Sequence, residues 1–149
     1  MRGTRYVAVV GPGEASDAEI EAAEAVGSGL AERQAIVICG GLGGVMAAAC
    51  RGARGAGGLT VGILPGNDRS AANKWVDVAI PTGLGELRNG LVVRAADAVI
   101  AVGGAFGTLS EIALALKTGI PVVGIGTWKI DGVRVVRSPR EAVDEALIH

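Results

Sequence analysis

The residues best suited to chemistry are an acid set just behind a glycine-rich turn and an arginine on the segment before it. The acid is Glu111, in Gly103-Gly104-Ala105-Phe106-Gly107-Thr108-Leu109-Ser110-Glu111. The run ahead of this turn, Ala98 to Val102, is short, uncharged and apolar, as in a strand buried on both faces. A strand that turns through glycines straight into a helix leaves backbone N–H groups free at the positive end of the helix dipole. That combination holds anions, phosphate most often. Gly103, Gly104, Ala105, Phe106, Gly107 and Thr108 are therefore the expected phosphate contacts. Thr108-x-x-Glu111 also has the spacing of a capping box, in which Glu111 turns back onto the Thr108 N–H. Ser16-x-x-Glu19 repeats that spacing. A carboxylate at the third helical position would repel a phosphate bound there, so Glu111 is expected to face a sugar instead.

The arginine is Arg88. At about 100° per residue, Leu84, Leu87, Leu91, Val92 and Ala95 form one apolar stripe, and Arg88 falls inside it. An arginine on such a face either snorkels, forms an internal ion pair, or meets an anionic ligand through its planar fork. Gly90 in the same helix costs up to ~1 kcal/mol relative to Ala, which predicts a close backbone approach there. Val93 lies opposite the stripe, and the 109–116 segment is apolar over much of its circumference. Helices buried on more than one side predict subunit contact, hence a homodimer or a homotetramer.

The rest of the chain supplies the elements that must position these groups. Strands are expected at 6–10, 36–39, 59–64, 76–80, 98–102 and 121–125. Ser16 caps a helix running to about residue 33, and further helices are expected at 45–54, 84–96, 108–117 and 139–147. Residues 67–75 read as an exposed loop, and 128–136 as a hairpin around Asp131-Gly132. Nearly all-apolar strands alternating with helices predict a single α/β domain over 1–149, a Rossmann-like, doubly wound and mainly parallel sheet flanked by helices. Glycine-rich loops at 11–13, 40–44 and 103–107 all follow strands, so they gather on one edge of that sheet. Gly11, Gly13, Gly40, Gly41, Gly43, Gly44, Met46 and Asn89 are the expected walls of a nucleotide pocket there.

Composition narrows the function further. Gly accounts for 25 of 149 residues, while aromatics are only 3% and the formal net charge is −1. Without a basic face or aromatics to stack bases, a nucleic-acid partner is not expected. Cys39 and Cys50 read as buried reduced thiols, and the one histidine is the terminal His149, which argues against histidine triads and metal sites. The apolar run after Arg2 and Arg5 is too short for a signal peptide, and no stretch reaches the ~20 apolar residues of a membrane span. A cytoplasmic protein with no membrane partner is expected. Gly11-Pro12-Gly13 has Ser16 where a dinucleotide fingerprint needs its third glycine. Neither a P-loop nor a nucleophile elbow occurs. The three lysines, Lys74, Lys117 and Lys129, lack the surroundings of a Schiff-base lysine, so pyridoxal phosphate is not expected.

Across nearly the whole chain these residues resemble a known superfamily. Arg88-Asn89, Ala96-Asp97-Ala98 and the stretch from Gly103 to Glu111 resemble the signature of the LOG ("lonely guy") proteins, Arg-Lys followed by Pro-Gly-Gly-x-Gly-Thr-x-x-Glu. Val9-Val10-Gly11-Pro12-Gly13, Gly62-Ile63-Leu64-Pro65-Gly66 and Pro81-Thr82-Gly83-Leu84-Gly85 are more similar to the neighbouring branch of molybdenum cofactor carrier proteins. The DNA-processing Smf/DprA group is a more distant relative. The LOG resemblance implies a phosphoribohydrolase that cleaves the N-glycosidic bond of a nucleoside 5′-monophosphate. Arg88 and Glu111 would be its catalytic pair, and no cofactor or metal would be required. The carrier resemblance implies instead a non-catalytic protein that binds a phosphorylated cofactor such as the molybdenum cofactor. Hydrolysis is the leading expectation, with the small-molecule nucleotide or cofactor as partner. Three positions depart from the LOG pattern: Gly103 stands for its Pro, Ala105 for its second Gly, and Asn89 for its Lys.

Overall fold

A computed structural model describes residues 3–148, so Arg2 and His149 lie outside the described residues. The chain forms β1 (Tyr6–Val10), α1 (Asp17–Glu32), β2 (Ile36–Cys39), α2 (Val45–Gly55), β3 (Thr60–Leu64) and β4 (Val78–Pro81). It continues through α3 (Arg88–Arg94), β5 (Ala98–Val102), α4 (Phe106–Lys117), β6 (Val122–Ile125), β7 (Val133–Val135) and α5 (Pro139–Ala146). All seven strands join one parallel sheet in the order β4-β3-β2-β1-β5-β6-β7.

An all-parallel sheet must be covered on both faces, and alternate strand residues face opposite ways. Val7, Val9, Val37, Ile100 and Val102 pack beneath α1, α2 and α5. Ala8, Val10, Ile38, Val99 and Ala101 pack beneath α3 and α4. On the first face, α1 and α2 meet backbone to backbone. A Cβ on Gly27 would lie 2.0 Å from the Ala49 carbonyl oxygen, and one on Gly52 would lie 2.0 Å from that of Glu24. Ser16 caps α1 as expected: its hydroxyl accepts from the Glu19 N–H at 3.2 Å, and the Glu19 carboxylate accepts from the Ser16 N–H at 2.9 Å.

The chain lays down β1 to β4 outward in one direction and then returns to place β5 on the other side of β1. The strand order therefore reverses between β1 and β5, whose carboxyl ends open the crevice where such sheets bind ligands.

Four local expectations are corrected. The Asp131-Gly132 turn closes no hairpin, because β7 runs parallel to β6 with Val122 opposite Val133. The residues 126–132 carry the chain back along β6, and seven residues reach up to ~23 Å, ample to retrace a four-residue strand. The helix expected at 84–96 begins as a 3₁₀ turn at Gly85–Leu87 and becomes α-helical only from Arg88. A tighter first turn shifts the helical phase. Helix α3 buries Asn89, Val92 and Val93, while Leu84, Leu87 and Leu91 remain exposed. Val93 is thus core together with Val92, and the three leucines of the apolar stripe face outward. Gly90 makes no close backbone approach, since a Cβ there would find only Leu114 Cδ1, at 4.0 Å. The fourth strand lies at Val78–Pro81, two residues later than the apolar run at 76–80 suggested.

Candidate functional site

The glycine-rich turn after β5 does deliver the chain straight into a helix, but one turn of sequence earlier than the capping pattern implied. Helix α4 starts at Phe106 with Ala105 as its N-cap, in an extended conformation and without a side-chain cap. Its first hydrogen bond runs from the Leu109 N–H to the Ala105 carbonyl at 2.9 Å. The amides of Phe106, Gly107 and Thr108 accordingly have no partner within the helix. Thr108 is the third helical residue and not the cap, so the Thr108–Glu111 capping box does not form. Its side chain is buried instead, and its Oγ1 has no hydrogen-bond partner among the described residues.

Gly103, at the strand end, takes φ +70°, a value closed to proline. The turn here is therefore differently shaped from one built on the Pro of the LOG pattern. Ala105, the other substitution in the turn, sits at φ −137°, which any side chain adopts.

Around the helix start, the carboxyl ends of β1, β2 and β5 enclose a cleft of about 180 Å³. Of the residues singled out from the sequence, Gly11, Gly13, Gly40, Met46, Arg88, Asn89, Ala105, Gly107, Thr108 and Glu111 line it, joined by Val9, Val10 and Pro12. Gly41, Gly43, Gly44, Gly103, Gly104 and Phe106 do not line the cleft. Gly41 and Gly44 shape the loop after β2, with φ +81° and +63°. Gly104 is exposed, and Phe106 turns its ring to solvent.

Arg88 enters the cleft from α3 as a strut as well as a charge. Its Nε donates to the Ile63 carbonyl at 3.0 Å, and its Nη2 to the Gly40 carbonyl at 3.4 Å. Nη1 donates to Asn89 Oδ1. A guanidinium has five N–H donors, so two remain for a ligand. Gly40 clears the space, since a Cβ there would fall 2.6 Å from Nη2. Asn89 Nδ2 donates to Ser110 Oγ at 3.2 Å, and that hydroxyl donates to the Gly107 carbonyl at 2.8 Å. This chain of bonds ties α3 to the first turn of α4, where the free amides are.

Glu111 is buried at the back of the cleft. Burial raises its carboxyl to about 7, although the Arg88 guanidinium pulls the other way. Its titration is thereby moved from the ordinary carboxylate range toward neutral pH. Among the described residues no cluster of three or more His, Cys, Asp or Glu is placed to hold a metal ion. No helix among them is long and apolar enough to cross a membrane.

Besides Val9, Val10 and Pro12, two residues outside the cleft lining reach this edge without having been singled out from the sequence as site residues. Glu19, read as a cap alone, also reaches the turn, where a Cβ on Gly103 would fall 1.9 Å from its Oε2. Trp128 stands over the turn: its Nε1 donates to the Ala105 carbonyl at 3.1 Å, and a Cβ on Gly104 would lie 3.0 Å from the same atom. The available signal was its place in the loop after β6, on the same sheet edge. The hairpin reading hid it.

The chain is 43% identical over 139 residues to an uncharacterized protein of Archaeoglobus fulgidus, covering 93% of this chain and 91% of that one. It is similar in structure to the molybdenum cofactor binding protein from the phototrophic bacterium Rippkaea orientalis, with a TM-score of 0.91 and 37% identity over 97% of this chain and 96% of that one. It is similar also to the molybdenum cofactor carrier protein of Chlamydomonas reinhardtii, with a TM-score of 0.87 and 32% identity over 96% of each chain. The model of the SLOG cluster4 family matches residues 4–146. The chain belongs to the SLOG cluster4 family, within the superfamily of LOG and molybdenum cofactor carrier-like proteins.

Proposed function

We propose that the protein binds a small phosphorylated cofactor of the molybdopterin type and carries it without turning it over. The observation that carries this reading is the buried Thr108 hydroxyl, unpartnered beside three free helix-start amides. A buried polar group left unsatisfied costs roughly 1–3 kcal/mol. A phosphate offers several acceptor oxygens to satisfy that hydroxyl and the amides together, with the two spare Arg88 donors within the same cleft. Similarity to proteins that bind or carry the molybdenum cofactor, at 37% and 32% identity over nearly the full chain, supports the choice of ligand. The cleft itself, about 180 Å³, is smaller than the ~300–1,000 Å³ of sites that enclose a whole ligand. It suits the phosphate end, with the rest of the cofactor outside.

A second reading, hydrolysis of the N-glycosidic bond of a nucleoside 5′-monophosphate, is favoured by one observation. Glu111 titrates near 7 beside that phosphate site, as a general acid–base would.

The deciding experiment mixes the protein with isolated molybdenum cofactor, separates them by gel filtration and measures the pterin by fluorescence after oxidation. A carrier elutes with the pterin intact, and Thr108→Val loses it. Pterin eluting apart from the wild-type protein overturns the carrier reading. Free base released from AMP by wild type, and lost in Glu111→Gln, establishes hydrolysis in its place.

A further inference from the structure

The chain has one Phe, one Tyr and two Trp, yet two of these four aromatics meet at the turn that leads into α4. Phe106 and Trp128 are stacked with ring centroids 6.3 Å apart and an interplanar angle of 24°. Phe106 is 83% exposed, the most exposed of the large hydrophobic side chains among the described residues. An apolar ring held in water at the first residue of a helix contributes nothing to the core. Its neighbours explain its place: Ala105 and Gly107, on either side in sequence, both line the cleft. Trp128 is fixed over the same turn by its bond to the Ala105 carbonyl, and the absence of a side chain at Gly104 makes room for the indole.

Resting on the phosphate-ligand reading above, we infer that Phe106 and Trp128 form a stacking platform for the planar heterocycle of the ligand, outside the cleft that receives its phosphate. At about 180 Å³ the cleft is below the ~300–1,000 Å³ of sites that enclose a whole ligand. Part of the ligand then lies outside it, and the aromatic pair stands on the turn whose Ala105 and Gly107 line the cleft. Offset stacking on aromatic side chains recognises any conjugated bicyclic ring, purine or pterin, because each has a π-face.

The test uses the full chain carrying Trp75→Phe, which leaves Trp128 as the one tryptophan. It is titrated with ribose 5-phosphate, which has no ring system, with AMP, and with neopterin 3′-phosphate. Binding is followed by calorimetry and by Trp128 fluorescence. At least one of the ring-bearing esters is expected to quench Trp128 and to bind roughly tenfold tighter than ribose 5-phosphate. Phe106→Ala, which keeps the backbone N–H, should bring the ring-bearing esters to within about twofold of ribose 5-phosphate measured on the same variant. Which of the two rings benefits more identifies the ligand's ring as purine or pterin. If ribose 5-phosphate binds but neither ring adds affinity or quenching, the platform is wrong and the phosphate site stands. The platform is equally wrong if Phe106→Ala weakens all three esters alike. If no phosphate ester binds at millimolar concentration, the phosphate site itself is wrong and the platform falls with it.

Discussion

At Thr108 binding and stability pull in opposite directions. A buried hydroxyl without a partner destabilises the free protein, while the same hydroxyl can donate to a bound anion. Thr108→Val replaces it with a methyl group of similar shape. The variant should be more stable by about 1 kcal/mol in urea unfolding and should bind phosphate esters at least tenfold more weakly. A purely structural threonine would give neither change. Glu111 carries a second opposition. Its carboxyl titrates near 7 when folded, against 4.5 for an unperturbed group, with burial as the cause. Between those pH values the folded chain keeps a proton that the unfolded chain releases. Stability thus falls as pH rises through the window, by up to about 1.4 kcal/mol per pH unit. Glu111→Gln should be more stable than wild type at pH 8, with the difference vanishing below about pH 4.5. Unfolding midpoints measured across pH check this. Ionised Glu111 also opposes an anion in the same cleft, so phosphate-ester affinity should weaken above pH 7 in wild type and less so in Glu111→Gln.

Among the elements, the β5–α4 turn depends on what Gly103 alone permits. Its φ of +70° and the Glu19 carboxylate pressed against it both exclude a side chain. Gly103→Ala should cost about 2 kcal/mol in stability from backbone strain and crowding. Part of that loss should be recovered by adding Glu19→Ala, because the two residues are neighbours whose effects do not add. Denaturant unfolding of the two single variants and the double variant measures the coupling. The same close approach sets the start of α1 against the end of β5, so the capping acid of one helix flanks the entry to another. Helix α3 shows a different dependence. Its three-residue 3₁₀ start rotates Arg88 toward the strand ends, where it bonds Ile63 and Gly40, and turns the leucines outward.

For the molecule as a whole, the two faces of the sheet are unequally finished. Three helices cover one face and two cover the other. On the outside of the thinner layer Leu84, Leu87 and Leu91 are exposed, Leu87 to 77%, and Leu114 of α4 is exposed as well. Apolar patches of this kind mark association surfaces. The expected occupant is a second copy of the chain, giving the homodimer or larger assembly anticipated from helix hydrophobicity, though through the leucines and not through Val93. Light scattering on Leu87→Glu should show a lighter species than wild type at the same micromolar concentration, with an unchanged circular dichroism spectrum.

What could be read from the residues in order was whatever depends on near neighbours. The apolar strands, the Ser16 cap, the glycine turn and the parallel α/β class all follow from local pattern, because buried strands must be apolar and tight turns need glycine. Arg88 and Glu111 could be paired through a family signature, since both lie on the one stretch of chain that resembles it. The rest required the third dimension. Thr108 and Glu111 have the spacing of a cap, and only the true start of α4 at Phe106 turns one into a buried donor and the other into a buried acid. The phase of α3 was hidden by its 3₁₀ turn. Asp131-Gly132 looked like a hairpin because a turn sequence does not say which way the next strand will run. Glu19 and Trp128 reach the site from distant parts of the chain, and no local pattern records a contact that only the closing of the sheet between β1 and β5 creates.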